Sequence, residues 1–141
     1  MLRHAQKEIL VATLNPGFSD ITCEVAGWLH VVGAGDGLLN IFVRHTSASL
    51  TVQENADPDV QSDLMVAFDA LAPRDASYLH SSEGADDMPA HIKSMLTSAS
   101  LQIPVSSGSM LLGTWQAIYL IEHRDGVRQR RVVLHFIGEL A

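Results

Sequence analysis

The chain has 141 residues, the length of one ordinary domain, so a single domain over 1–141 is expected and two separately cored units are excluded. With 47% apolar and 18% charged residues it lies away from disordered chains, and a net charge of −7 argues against a general nucleic-acid backbone binder. A lone cysteine, Cys23, excludes an internal disulfide, and the absence of a long apolar run or a charged-then-apolar leader gives the expectation of a cytoplasmic protein with no membrane partner.

Residues 7–14 read as a strand that stops at the turn cluster Asn15-Pro16-Gly17. Ile21, Val25, Trp28, Leu29 and Val32 then recur at helical spacing behind Ser19 and Asp20, and Cys23 falls inside that helix as an expected buried small side chain. From Leu38 to His45, and again from Leu50 to Glu54, apolar residues alternate, so two strands are expected as sheet neighbours. Asp57-Pro58 is a strong helix start, and Val60, Leu64, Phe68 and Leu71 mark the expected buried stripe behind it. Residues 74–87 are polar and without period. Asp87-Met88-Pro89 opens another helix, with Ile92, Met95, Leu96 and Ala99 expected inside.

The remainder reads as strand. Leu101, Ile103 and Val105 alternate; a long run from Met110 to His123 puts Trp115, Ala117, Tyr119, Ile121 and His123 on one face. Asp125-Gly126 supplies an expected hairpin turn into a last strand over 128–137. Strands and about three helices mix without regular βαβ alternation, which predicts an α+β fold with a largely antiparallel sheet.

The chemistry is not in a familiar short motif. There is no P-loop, no Gly-x-Ser-x-Gly elbow, no His-Glu-x-x-His and no pair of histidines at metal-finger spacing. Acidity is local: nine acids and one base fall between Glu54 and Asp87, while Arg124, Arg128, Arg130 and Arg131 crowd the C-terminal end. Seven histidines stand beside nine Lys plus Arg, and imidazole is both a near-neutral acid/base and a common metal ligand. His45, beside the hydroxyls of Thr46, Ser47 and Ser49, ends one strand; His91 follows Asp86 and Asp87 at a helix start; His123 closes another strand. These three either converge on one site or are three separate hydrogen-bonded histidines. Glu54 returns towards His45 if their two strands are neighbours. His4 and His30 read as surface residues, His135 as a core or interface one.

In order, His45-Thr-Ser-Ala-Ser-Leu, Glu54-Asn-Ala-Asp, Asp86-Asp-Met-Pro-Ala-His91, Gly113-Thr-Trp-Gln116 and Glu122-His-Arg124 resemble the YjbQ-like family of small bacterial and archaeal proteins. The match runs through almost the whole chain. It implies a compact α+β fold, a homotrimer, and a metal or anion site lined by histidines. It also carries the description secondary thiamine-phosphate synthase. Residue by residue, the resemblance makes His45, His91 and His123 the candidate metal ligands, with Glu54, Asp87, Trp115 and Gln116 as neighbours. Tyr78-Leu79-His80 matches the family's tyrosine- and histidine-bearing loop more loosely.

If the synthase description holds, a pyrimidine diphosphate joins a thiazole phosphate and diphosphate departs. That chemistry needs charge neutralisation by a divalent metal, with Arg124, Ser47 and Ser49 as donors and Trp115 stacked on a heterocycle. An imidazole set favours a zinc-like ion over magnesium. A second reading is metal-assisted hydrolysis of a phosphate ester, in which three histidines hold a metal with an open position and Glu54 is the general base for its water; His45 and Asp87 stand with Glu54 as the catalytic candidates. A third is a non-catalytic protein that holds a metal or a small phosphorylated ligand.

Overall fold

The computed structural model describes residues 2–141. In chain order the elements are β1 (Arg3–Leu14), β2 (Gly17–Asp20), α1 (Thr22–Val31), β3 (Ala34–Val43), β4 (Ala48–Glu54), α2 (Pro58–Leu71), α3 (Asp87–Leu96), β5 (Ser100–Ser106), β6 (Ser109–Met110), β7 (Gln116–Glu122) and β8 (Val127–Leu140). All strand pairs are antiparallel. They form a five-stranded sheet in the order β1-β8-β3-β5-β6 and a three-stranded sheet in the order β2-β7-β4. This is the expected α+β class.

The core lies between the inner face of the large sheet, the small sheet and α1. Alternation puts Ile9 and Val11 of β1, Leu39, Ile41 and Val43 of β3, and Val132, Leu134 and Phe136 of β8 on the inner face. They pack against Leu50, Ile118 and Leu120 of the small sheet and against Val25 and Leu29 of α1. Each such side chain removed from water contributes about 1.5–3 kcal/mol.

Which strand pairs with which differs from the sequence expectation at three corners. Strands β3 and β4 are not neighbours: β3 pairs with β8 and β5, whereas β4 pairs with β7. Asp125-Gly126 is not a hairpin either, because β7 belongs to the small sheet and β8 to the large one. The predicted run 110–123 breaks likewise, with Met110 ending β6 beside β5 and the chain crossing at 111–115 to begin β7. Period-2 patterning reports which face of a strand is buried but carries nothing about which neighbour the edge meets. The corner at Asn15 and the corner at Gly126 are tied together. Asn15 N–H donates to the Gly126 carbonyl at 3.1 Å, and Gly126 N–H donates to Asn15 Oδ1 at 3.0 Å. Gly126 has φ +85°, a conformation that suits glycine, and Asn15, with φ 79°, is of a residue type that visits the left-handed region more readily than most.

Both later helices reverse part of their expected packing. Asp57 caps α2 as predicted, its Oδ1 accepting from the Asp59 N–H at 2.9 Å with Pro58 at the first helical position. Yet no residue of α2 is fully buried: Val60, Leu64 and Phe68 are half-covered and Leu71 is 66% exposed. The helix therefore lies along the surface. In α3 the buried face is Asp87, Pro89, Ala90 and Lys93, while Met95 is 87% exposed and Leu96 also faces outward. A helix that turns a carboxylate and an ammonium inward and a methionine outward is not oriented by apolar burial alone. The inward charges are paired, Lys93 Nζ with Asp69 of α2 at 2.8 Å and Asp87 with the groups described next. Cys23, expected buried, is exposed, since position 23 falls on the outer side of the first turn of α1.

Candidate metal centre

Asp87 and His91 stand four residues apart on α3, a spacing that puts both on one helix face. Over that face folds the loop 72–86, which carries His80. Asp87 Oδ2 lies 2.6 Å from His80 Nε2 and 3.1 Å from His91 Nε2. The three potential ligand atoms all lie within 4.8 Å of one another. Asp87 is almost fully buried, while the two rings are partly open to solvent.

The partners around this cluster set its protonation. His91 Nδ1 is 2.9 Å from the Thr46 carbonyl, which can only accept, so Nδ1 carries a proton. In neutral His91 the lone pair is then on Nε2, aimed at the carboxylate oxygen of Asp87. Two lone pairs 3.1 Å apart repel, so the arrangement is satisfied only by a second proton on His91 or by a cation between them. A backbone carbonyl accepting from one ring nitrogen is the support that metal-ligating histidines commonly have, and it leaves the other nitrogen to face Asp87.

On its other side Asp87 meets Arg124, whose Nη1 is 3.3 Å from Oδ1. Arg124 also grips Asp86, its Nε 3.2 Å from Asp86 Oδ2, and donates through Nη2 to the Glu83 carbonyl at 2.7 Å. Burial pushes Asp86 up, but the Arg124 hydrogen bond and the Asp125 N–H bring it down to about 2. Burial also pushes Asp87 up, and the His80 hydrogen bond with the His91 and Arg124 charges more than offsets that, so Asp87 stays an anion.

Two cavities flank the cluster. One, of about 380 Å³, is lined by Arg74, Ser77, Tyr78, His80, Ser81 and Met88 among others. The other, of about 340 Å³, is lined by His45, Thr46, His91, Ser94 and Met95 among others. Arg74 is held by Asp125 in a two-point contact of 2.6 and 2.7 Å. Both groups are substantially exposed, so the pair is weak and Arg74 is available to a competing anion.

The structure brings together part of the predicted set. His91 and Asp87 are in the cluster, Arg124 braces it, and His45 shares a cavity wall with His91. His45 is turned to another use: its Nε2 accepts from the Arg131 N–H at 2.8 Å, and burial, then the Arg130 charge, lowers its pKa in keeping with a neutral acceptor. His123 does not reach the cluster within the chain. It is buried, with Nε2 2.8 Å from Ser49 Oγ and its ring edge-on to Phe68, and Nδ1 has no hydrogen-bond partner. Burial, then the Lys93 charge, pushes His123 down to about 4. Ser49 is thereby spent on His123 and Thr97, and Ser47 on Arg130.

Within the chain, Glu54, Trp115 and Gln116 are at the other end of the small sheet from His123. Register pairs Ala48 with Glu122 and Glu54 with Gln116, so six residue steps, about 20 Å, separate them from the end where His123 and Ser47 sit. Trp115 is 63% exposed there. The expectation that Glu54 returns to His45 failed with the β3–β4 pairing on which it rested.

His80 is the member that residue reasoning underrated. It lies in a segment without periodicity, so nothing in the local pattern shows that the loop doubles back over α3. The Asp87–His91 spacing, by contrast, is a signal in residue order that puts both side chains on one helix face.

An antiparallel two-sheet α+β fold with a His-Asp-His cluster at a helix start defines the class. A family model described as UPF0047 protein YjbQ-like matches residues 7–139. The chain is 46% identical over 139 residues to UPF0047 protein sll1880 of Synechocystis, covering 98% of this chain and 95% of that one. To UPF0047 protein YjbQ of Escherichia coli O157:H7 it is 42% identical, covering 95% and 98%. Among solved structures, an uncharacterised YjbQ/UPF0047 protein of Clostridium acetobutylicum superposes with a TM-score of 0.83 at 40% identity, covering 90% of this chain and 97% of that one. A YbjQ-like protein of Sulfolobus solfataricus shares the fold at TM-score 0.92 and 24% identity, covering 99% and 100%. The chain belongs to the UPF0047 YjbQ-like family.

Proposed function

We propose that the protein binds one zinc-like divalent cation through His80 Nε2, Asp87 Oδ2 and His91 Nε2, and takes a small phosphorylated ligand into the cavity beside His80. The observation that carries this is the His91 ring. With its Nδ1 proton committed to Thr46, it turns Nε2 towards a buried carboxylate, and one cation held with His80 Nε2 would satisfy all three atoms where a second ring proton would satisfy a single contact. Two imidazoles and a carboxylate fit zinc in its catalytic mode, with a position left open. When bound, the ion supplies Lewis-acid neutralisation of phosphate oxygens.

The chain's own residues do the rest. Arg74 offers a planar two-point donor to a phosphate, in place of Asp125, and Ser77, Tyr78 and Ser81 bring hydroxyls to the same wall. Arg124 and Thr46 hold Asp87 and His91 still. Transfer with departure of diphosphate is the favoured reading over hydrolysis, because the carboxylate expected as base, Glu54, lies at the end of the small sheet opposite His123, about 20 Å along it. Thiamine-phosphate synthesis, which the family resemblance implies, is one reaction of that class.

Zinc titration against a chromophoric chelator tests the reading. Wild type should take up one ion per chain; His80→Ala, Asp87→Asn and His91→Ala should each weaken uptake at least about 100-fold, beyond the effect of losing a supporting group. His123→Gln should keep it. Arg74→Ala should leave zinc affinity unchanged and weaken inorganic diphosphate binding about 10-fold. Absence of zinc uptake by wild type, or its loss in His123→Gln with retention in His80→Ala, overturns the proposal.

We also propose a homotrimer. α3 turns Met95 and Leu96 outward, and Met95 lines the His45–His91 cavity, where a second copy would cover it. Light scattering at micromolar concentration should give three times the chain mass, and Met95→Glu should lower it. A monomer in wild type rules the assembly out.

A further inference from the structure

Where the two sheets part, a buried ion pair joins corners of the chain that otherwise have no covalent neighbourhood. Glu122 ends β7 and Arg130 lies on β8; both are more than nine-tenths buried. Glu122 Oε1 accepts from Thr13 Oγ1 at 2.6 Å and from Arg130 Nε at 2.7 Å. Its Oε2 accepts from Arg130 Nη2 at 2.5 Å and from the backbone N–H groups of His123 and Arg124 at 3.0 and 3.1 Å. Arg130 Nη2 in turn donates to the Ser47 hydroxyl at 3.0 Å and the Ser47 carbonyl at 3.3 Å. One carboxylate with five donors and one guanidinium thus pin two loops, 44–47 and 123–126.

Those loops supply the two braces of the His80–Asp87–His91 cluster. Loop 44–47 presents the Thr46 carbonyl that sets the His91 tautomer and also accepts from Ser94 Oγ at 2.9 Å. Loop 123–126 presents Arg124 to Asp87 and Asp86, and the Asp125 N–H to Asp86 at 3.0 Å. The His123 N–H also donates to the Ser47 carbonyl at 3.3 Å, closing the circuit between them. A buried pair of this kind is weak ground for net stability, since apolar replacement often does as well, but it specifies geometry that apolar packing would leave loose. We infer that Glu122 and Arg130 are positioning residues for the cluster, acting through the Thr46 carbonyl and the Arg124 side chain. The inference rests on the metal reading for its consequence, but the positioning itself is testable without metal.

Three variants separate positioning from mere support of the fold. Glu122→Gln weakens the hold on the 123–126 loop, Ser47→Ala weakens it on the 44–47 loop, and Thr13→Val removes a donor to the same carboxylate that touches neither loop. With zinc alone as probe, Glu122→Gln and Ser47→Ala should lower affinity about 10-fold, the scale expected for supporting groups, and broaden the visible spectrum of the cobalt-substituted protein. Thr13→Val should lower the melting temperature and leave zinc affinity within twofold of wild type. Should Glu122→Gln fail to fold, Ser47→Ala decides. In metal-free protein, 15N spectra of the histidine rings should show the His91 Nδ1–H protected from solvent exchange in wild type and Thr13→Val, and exchanging at least about 10-fold faster in Ser47→Ala and Glu122→Gln. If wild type binds no zinc but this pattern holds, the metal reading fails and the positioning stands. If the ring signal is unchanged in every variant, or if Thr13→Val loses affinity and protection as much as the other two, the positioning role is overturned.

Discussion

Replacing Arg130 with methionine should cost about 3–5 kcal/mol of folding stability at neutral pH, the scale for removing one member of a buried ion pair. The guanidinium makes two bonds to Glu122 and two to Ser47, and the methionine stem fills the space without returning any of them. Glu122 is then left as a carboxylate inside the protein. Burial pushes it up, and in the native protein the Arg130 and Thr13 hydrogen bonds more than offset that, holding its pKa below the usual value. A depressed native pKa stabilises above the unfolded value, and that stability is lost as pH falls through the native one. Without Arg130 the sign reverses, so the variant's deficit should shrink from pH 7 towards pH 5 as Glu122 takes a proton. Urea unfolding at both pH values measures this. Arg74→Met removes the exposed pair with Asp125 and should cost under about 1 kcal/mol. Equal small losses in both variants would show that the buried network is not coupled to folding.

A second large effect should appear on acidification. His123 is held at about 4 in the fold against an ordinary 6.5, so the unfolded chain binds its proton first. Stability therefore rises with pH across the window from about 4 to 6.5 and is flat, as far as this group is concerned, above it. The contribution lost between pH 7 and pH 4 is about 3 kcal/mol, with a limiting slope of about 1.4 kcal/mol per pH unit. His123→Gln keeps a polar group within reach of Ser49 and cannot take the proton, so one proton's worth of slope should vanish from its stability profile. Chemical denaturation at half-unit steps from pH 4 to 7.5 measures the slope. Parallel profiles for the two proteins would mean that His123 is as easily protonated folded as unfolded.

Much of the local structure was legible in residue order because its causes are local. Asp57-Pro58 starts a helix by capping and a preset φ, and alternation from Leu38 to His45 and from Leu50 to Glu54 marks two strands, the first ending at Val43 and the second beginning at Ala48, because side chains leave a strand on alternate faces. The α+β class followed from those elements, and the clustering of Asp86, Asp87 and His91 at a helix start from residue order. Partnership between distant elements was decided only by the tertiary structure. Asp125-Gly126 reads as a hairpin dipeptide, yet of the two only Gly126 takes a positive φ, and the bend throws the chain from one sheet to the other, a choice the dipeptide alone does not encode. His80 joined the cluster through a loop with no repeat to read, and Glu54 left it because β4 found β7 instead of β3. His91 and His123 are the same residue type at similar element ends. The first meets a carboxylate four residues before it on its own helix, the second a serine hydroxyl 74 residues away in sequence, and that second contact depends on the pairing of β4 with β7, which no residue's own propensity specifies.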